Sequence, residues 1–130
     1  MKKMGALVKL EIENRSGAER DVEIKLGYAG SVTKAVRTWN DAFPPLERDN
    51  KVEIDRSRMA LLYSALHSKA FQMQGIFPLA DEINKNGVKK RFLLASGDKK
   101  IIYYINVVDE SVDNLQNTYD EIAGNAEKII

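Results

Sequence analysis

No cysteine occurs in this chain of 130 residues, and histidine and tryptophan occur once each. Without cysteine there is no disulfide, no thiolate metal site and no cysteine nucleophile, a composition suited to a reducing compartment. With His67 as the only histidine, one chain cannot build a two-histidine metal site. Long apolar runs are missing too. After Met1-Lys2-Lys3-Met4-Gly5, the run Ala6-Leu7-Val8 is stopped by Lys9. That is shorter than the apolar region of a secretory signal and far below the ~20 residues of a membrane span. The expectation is a cytoplasmic chain with no membrane segment. Charge of one sign is also lacking: 20 Lys and Arg against 19 Asp and Glu leave a net charge of +1. Whole-molecule attraction to nucleic acid or to an anionic membrane is therefore not expected.

The sequence is equally poor in the motifs that carry chemistry. Gly27-Tyr28-Ala29-Gly30-Ser31 lacks the lysine-serine pair of a P-loop and the three-glycine dinucleotide fingerprint, and reads as a tight turn with a serine cap. The pairs Asp81-Glu82, Asp109-Glu110 and Asp120-Glu121 are sequence neighbours. On a helix they would diverge by about 100 degrees, so they do not face each other across a substrate. No ligand loop of the EF-hand kind is present. His67, placed by spacing beside an apolar stripe, has no evident orienting partner and reads as a core-edge residue. No catalytic residue, metal site or cofactor is expected.

What is present is patterned apolar sequence. Val8, Leu10 and Ile12 alternate with Lys9, Glu11 and Glu13, and Val22, Ile24 and Leu26 alternate with Glu23 and Lys25. Period-two alternation predicts strands with one wet and one dry face. With Ser16-Gly17 between them, they predict an antiparallel hairpin over about 7–13 and 21–27. A turn centred on Ala18 sets Glu11 against Lys25 and Ile12 against Ile24, which like-charge repulsion favours over a turn centred on Gly17. A second hairpin is expected over about 90–96 and 101–108, around the turn Ser96-Gly97-Asp98-Lys99-Lys100. Its strands are apolar on both faces, as strands covered on two sides are.

Between the hairpins the spacing predicts helices. One is capped by Ser31 and carries Val32, Val36, Trp39 and Phe43 up to Pro44-Pro45. After a short strand at Val52–Ile54, a longer helix would be capped by Asp55, striped by Met59, Leu62, Tyr63, Leu66, Ala70 and Met73, and stopped at Gly75. A short helix from Pro78 would close at Asn86-Gly87. The last helix, from about Ser111, has the stripe Val112, Leu115, Tyr119, Ile122, Ala126 and Ile129. The expected fold is a single α+β domain over 1–130: a largely antiparallel sheet of two hairpins, a helical middle, and a C-terminal helix packed on the sheet.

With little catalytic chemistry in view, surfaces carry the functional expectation. Phe71, Met73, Ile76 and Phe77 cluster around Gly75 and suit an interface. The leading expectation is a non-enzymatic protein-interaction or assembly module, self-associating or binding a protein partner through that junction or an edge of the first hairpin. The alternative is nucleic-acid binding by the basic second hairpin. Lys89, Lys90 and Arg91 lie at one end, Lys99 and Lys100 at the other, with Tyr103 and Tyr104 as stacking rings. The two basic clusters would be about 15–20 Å apart. This alternative needs one of those tyrosines exposed beside Lys99, Lys100 or Arg91. A small enzyme of unknown reaction, built on His67 or the Gly27–Ser31 turn, is the third reading.

Overall fold

The computed structural model describes residues 4–30, 32, 36–37, 42–43, 50–66 and 68–129. Among them are ten strands: β1 (Met4–Glu13), β2 (Arg20–Gly27), β3 (Val36–Arg37), β4 (Ala42–Phe43), β5 (Asn50–Asp55), β6 (Ala60–Ala65), β7 (Phe71–Phe77), β8 (Glu82–Asn84), β9 (Gly87–Leu94) and β10 (Lys99–Asp109). Two helices follow, α1 (Val112–Gly124) and α2 (Ala126–Ile129). The strands form an antiparallel five-stranded sheet in the order β1-β10-β7-β6-β5, a three-stranded sheet β2-β9-β8, and the small ladder β3-β4.

The expected α+β architecture with a helical middle is therefore corrected to a mainly antiparallel β fold with helix at its C-terminal end. The segment expected as the longest helix is a β5-β6 hairpin followed by β7. Its apolar residues fit a helical stripe only because β6 is covered on both faces. Leu61 and Tyr63 are buried towards one side, Ala60 and Leu62 pack towards the other, and a strand buried twice has no period-two signal to read. Asp55 does cap, but it caps a hairpin turn. Its carboxylate accepts from Ser57 Oγ at 2.8 Å and from the Arg58 amide at 3.2 Å. Gly75 stops nothing. It sits inside β7, where a Cβ would lie 2.0 Å from the Tyr119 hydroxyl. Residues 82–94 form the β8-β9 hairpin in place of the short helix. Of the first expected helix, Ser31, Trp39 and Pro44-Pro45 lie outside the described residues, while Val36 and Phe43 pair across β3-β4. The Val52–Ile54 strand and the Ser111-capped helix are present; Ser111 Oγ accepts from the Asn114 amide at 3.3 Å.

Both expected hairpins are corrected as well. β1 pairs with β10 and β2 with β9, so each presumed hairpin is an arch joining one sheet to the other. A strand with one dry face satisfies its pattern equally well beside its neighbour or facing it across a core. Alternation therefore cannot tell a hairpin from an arch. The link of residues 14–19 is long enough to cross the ~10 Å between packed sheets. The two arches lie against each other. Asn14 N donates to Asp98 O at 2.9 Å, Gly97 N donates to Asn14 O at 2.8 Å, and Ser96 Oγ donates to Ser16 O at 2.7 Å. The buried Asn14 side chain pins them. Its Nδ2 reaches Ala18 O and Leu94 O at 2.9 Å and Ala95 O at 3.2 Å, while its Oδ1 accepts from the Ser16 amide at 3.0 Å.

The core has two parts. Between the sheets, Ile76, Ala80, Val88 and Ile102 are buried, with Leu10, Ile12, Ile24, Leu26 and Phe92 packed around them. On the other face of the large sheet, Leu115 and Tyr119 of α1 bury against Ala60, Met73, Ile105 and Val107. Arg58 ties the β5-β6 turn to α1: its Nε and Nη2 meet the two Asp120 carboxylate oxygens at 2.8 Å each, and its Nη1 meets Asp55 at 2.8 Å.

Candidate functional site

The structure separates most residues that the sequence grouped. Phe71, Met73, Ile76 and Phe77 lie on β7, the middle strand of the large sheet, with Phe71, Met73 and Phe77 on one face and Ile76 on the other. Met73 is buried under α1 and Ile76 between the sheets; Phe71 is partly buried, and Phe77 alone is exposed, at 39%. Lys89, Lys90 and Arg91 lie on β9 and each meets an acid: Lys89 with Glu82 at 3.8 Å, Lys90 with Asp81 at 3.3 Å, and Arg91 with Glu23 at 2.9 Å. Lys99 and Lys100 are exposed where the second arch enters β10. Tyr103 is buried on the α1 side and Tyr104 half-buried on the opposite side, so neither ring presents an open face for base stacking. His67 lies outside the described residues.

A polar cluster that the sequence did not reveal occupies the large sheet's inner face, where Gln72, Gln74, Tyr104, Asn106 and Tyr63 converge. Cross-strand register brings them together, pairing Tyr63 with Gln72 and Gln74 with Asn106. Gln72 Nε2 donates to Asn106 Oδ1 at 3.0 Å, Tyr104 donates to Gln74 Oε1, and Gln74 Nε2 donates to Ala29 O at 3.3 Å. The chain after β2 runs over this cluster at Gly30, where a Cβ would lie 2.7 Å from Gln72 Oε1, and Asn50 Nδ2 holds Gly30 O at 2.7 Å. Burial raises the phenols: Tyr63 is pushed up to about 12, and Tyr28 and Tyr104 also lie above the ordinary tyrosine value. Phenols held protonated at neutral pH are poor bases, and the cluster's other members are amides. Its hydrogen bonds fasten a crossing segment to the sheet.

The accessible feature is one side of the sandwich. There β1 and β2 are the edge strands of their sheets and lie one above the other, joined by the first arch. None of their residues with described burial is fully buried. Val8, Leu10 and Ile12 on one strand and Val22, Ile24 and Leu26 on the other turn towards the gap between the sheets. All six are incompletely covered, and Val8 is 46% exposed. Outside the gap, Lys9 meets Glu11 at 3.2 Å on β1, and Lys25 meets Glu23 at 3.6 Å on β2. The Arg91 guanidinium, with help from Lys25, holds the Glu23 carboxyl below its ordinary value. Two open clefts lie elsewhere. One of about 290 Å³ runs beside the start of β1, lined by Gly5, Thr118 and Ile122; one of about 400 Å³ lies at the β8-β9 hairpin, lined by Lys25, Glu82 and Lys89. Among the described residues no three His, Cys, Asp or Glu side chains gather in a metal-holding group, and no helix is long and apolar enough to cross a membrane.

No family model matches the chain, and no curated protein matches it either.

Proposed function

We propose that this chain is a non-enzymatic interaction or assembly module that binds protein through the paired edge strands β1 and β2. One observation carries the reading: among the described residues, two sheet edges without a further strand partner lie on the same side and frame a slit of aliphatic side chains, with Val8 46% exposed at its rim. An unpaired edge is a template for another strand, and natural proteins commonly blunt such edges with proline, bulges or inward-pointing charge. β1 and β2 contain no proline, and the inward residues along their middles, Val8, Leu10 and Ile12 on one and Val22, Ile24 and Leu26 on the other, are aliphatic, with Arg20 at the arch end of β2 the one charge at an inward position. Main-chain hydrogen bonds would supply affinity and the slit would accept the partner's alternate side chains, the logic of strand addition. The cytoplasm is the proposed setting, on the strength of the cysteine-free composition.

The test is amide hydrogen exchange on the chain alone at low concentration and in its associated state. The expected result is protection gained in β1 and β2 on association and lost in Val8→Lys, which puts a charge at the slit. Protection gained elsewhere, with β1 and β2 unchanged, would overturn the reading.

A further inference from the structure

We infer that the occupant of this edge is a second copy of the same chain, docked about a two-fold axis that passes beside Leu10 and Ile24 and runs perpendicular to both sheets. The inference rests on the reading of β1 and β2 as an interaction surface and names the partner. A two-fold axis in that direction is the one operation that continues a sheet through antiparallel pairing of identical edges.

The register follows from charge. Antiparallel neighbours share a face, so only registers that set inward residues against inward residues keep the slit apolar. Centring β1 on Leu10 sets Lys9 of each copy opposite Glu11 of the other, and Val8 opposite Ile12. Centring it on Lys9 or on Glu11 would set like charges directly opposite one another, which is unfavourable. The same holds for β2. Centred on Ile24, Glu23 faces Lys25 of the other copy in both directions and Val22 faces Leu26, whereas centres at Glu23 or Lys25 oppose like charges. Each edge strand is thus self-complementary in one register.

One axis must serve both strands, and the fold provides for this. The first arch spans residues 14–19, with Leu10 four residues before its start and Ile24 five residues after its end. Both pack against the same buried cluster of Ile76, Val88 and Ile102, so both border one part of the sandwich core through which a shared axis can pass. Docking about the common axis would close the slit, with aliphatic side chains of each copy sealing the other's open side. Glu13, Arg20 and Asp21 also lie on these strands, but the two charges flanking each centre are one cation and one anion placed symmetrically about an apolar residue.

The experiment is sedimentation velocity on the full chain and on Lys9→Glu, Glu11→Lys, an equimolar mixture of the two, and the double variant Lys9→Glu/Glu11→Lys. Circular dichroism on each variant confirms folding. The wild type is expected to be a dimer. Each single reversal turns both Lys9–Glu11 contacts repulsive and should weaken dimerisation by about tenfold or more. The mixture restores opposite charges across the axis and should dimerise, as should the double variant. A wild type that stays monomeric up to about 500 µM would overturn the inference. So would a dimer indifferent to the single reversals, or a mixture that fails to rescue while the double variant dimerises. A monomer whose β1 and β2 amides become protected in complex with a different protein would sink the self-pairing while leaving the interaction module standing.

Discussion

Replacing Asn14 with alanine should be among the most damaging polar substitutions in this protein, and its effect can be worked from the arches. The backbone contacts of residue 14 with Asp98 and Gly97 survive the change. What disappears is an Nδ2 group serving Ala18 O, Leu94 O and Ala95 O, and an Oδ1 accepting from the Ser16 amide. A net ~0.5–1.5 kcal/mol for each of two donated bonds, plus part of the penalty for a carbonyl left dry beside buried Leu94, gives about 2–4 kcal/mol. With a urea m-value of ~1–3 kcal/mol/M, the midpoint should fall by about 1–2 M with m unchanged. Urea unfolding followed by circular dichroism, at one fixed protein concentration so that association does not enter, reads this directly. Asn14→Asp sharpens the test, since its carboxylate would face three carbonyl oxygens. At neutral pH it should be less stable than Asn14→Ala. Those surroundings raise the folded-state pKa of the new acid, so its deficit should shrink as pH falls and the protonated acid regains one donor. An Asn14→Ala midpoint within experimental error of the wild type, or an Asn14→Asp deficit that does not change with pH, would refute the assignment of Asn14 as the pin of the arches.

Gly75→Ala should destabilise by about 1–3 kcal/mol through overpacking against the Tyr119 hydroxyl. Tyr119→Phe, which removes a buried hydroxyl with no hydrogen-bond partner, should be near neutral alone and recover part of the loss in the double variant; a thermal-unfolding double-mutant cycle measures the coupling. Arg58→Lys should cost about 1 kcal/mol, because lysine cannot make the two-point contact with Asp120 while also holding Asp55; the loss should vanish in an Asp120→Asn background, which thermal unfolding would show. Finally, the raised phenols make stability fall at alkaline pH. Tyr63, Tyr28, Tyr104 and Tyr119 stay protonated in the fold above the ordinary value near 10 at which the unfolded chain ionises, so their contribution is whole below pH ~10 and drains as pH rises, that of Tyr63 being spent by about 12. Absorbance titration at the phenolate band should lag that of the urea-unfolded chain; coincident curves would contradict the burial of these rings.

The sequence determined by itself what short-range patterning can carry. The alternation of Val8-Leu10-Ile12 and Val22-Ile24-Leu26 made β1 and β2 strands, and Ser111 and the stripe through Leu115 and Tyr119 made α1. Only the tertiary structure decided that the strands form arches, because a dry face does not say whether its cover lies beside it or across a core. Only it turned the Met59–Met73 stripe into β6 and β7, since burial on two faces erases the period that marks a strand. The Phe71–Phe77 group shows the same limit: apolar residues close in sequence looked like one surface, but the strand put Phe71 and Met73 under α1, Ile76 between the sheets, and left Phe77 exposed. The open edge is legible only with strand order in hand. The charges Lys9/Glu11 and Glu23/Lys25 stand in the sequence, but the proposed pairing draws on them only once β1 and β2 are seen as edges of two sheets packed on one buried cluster.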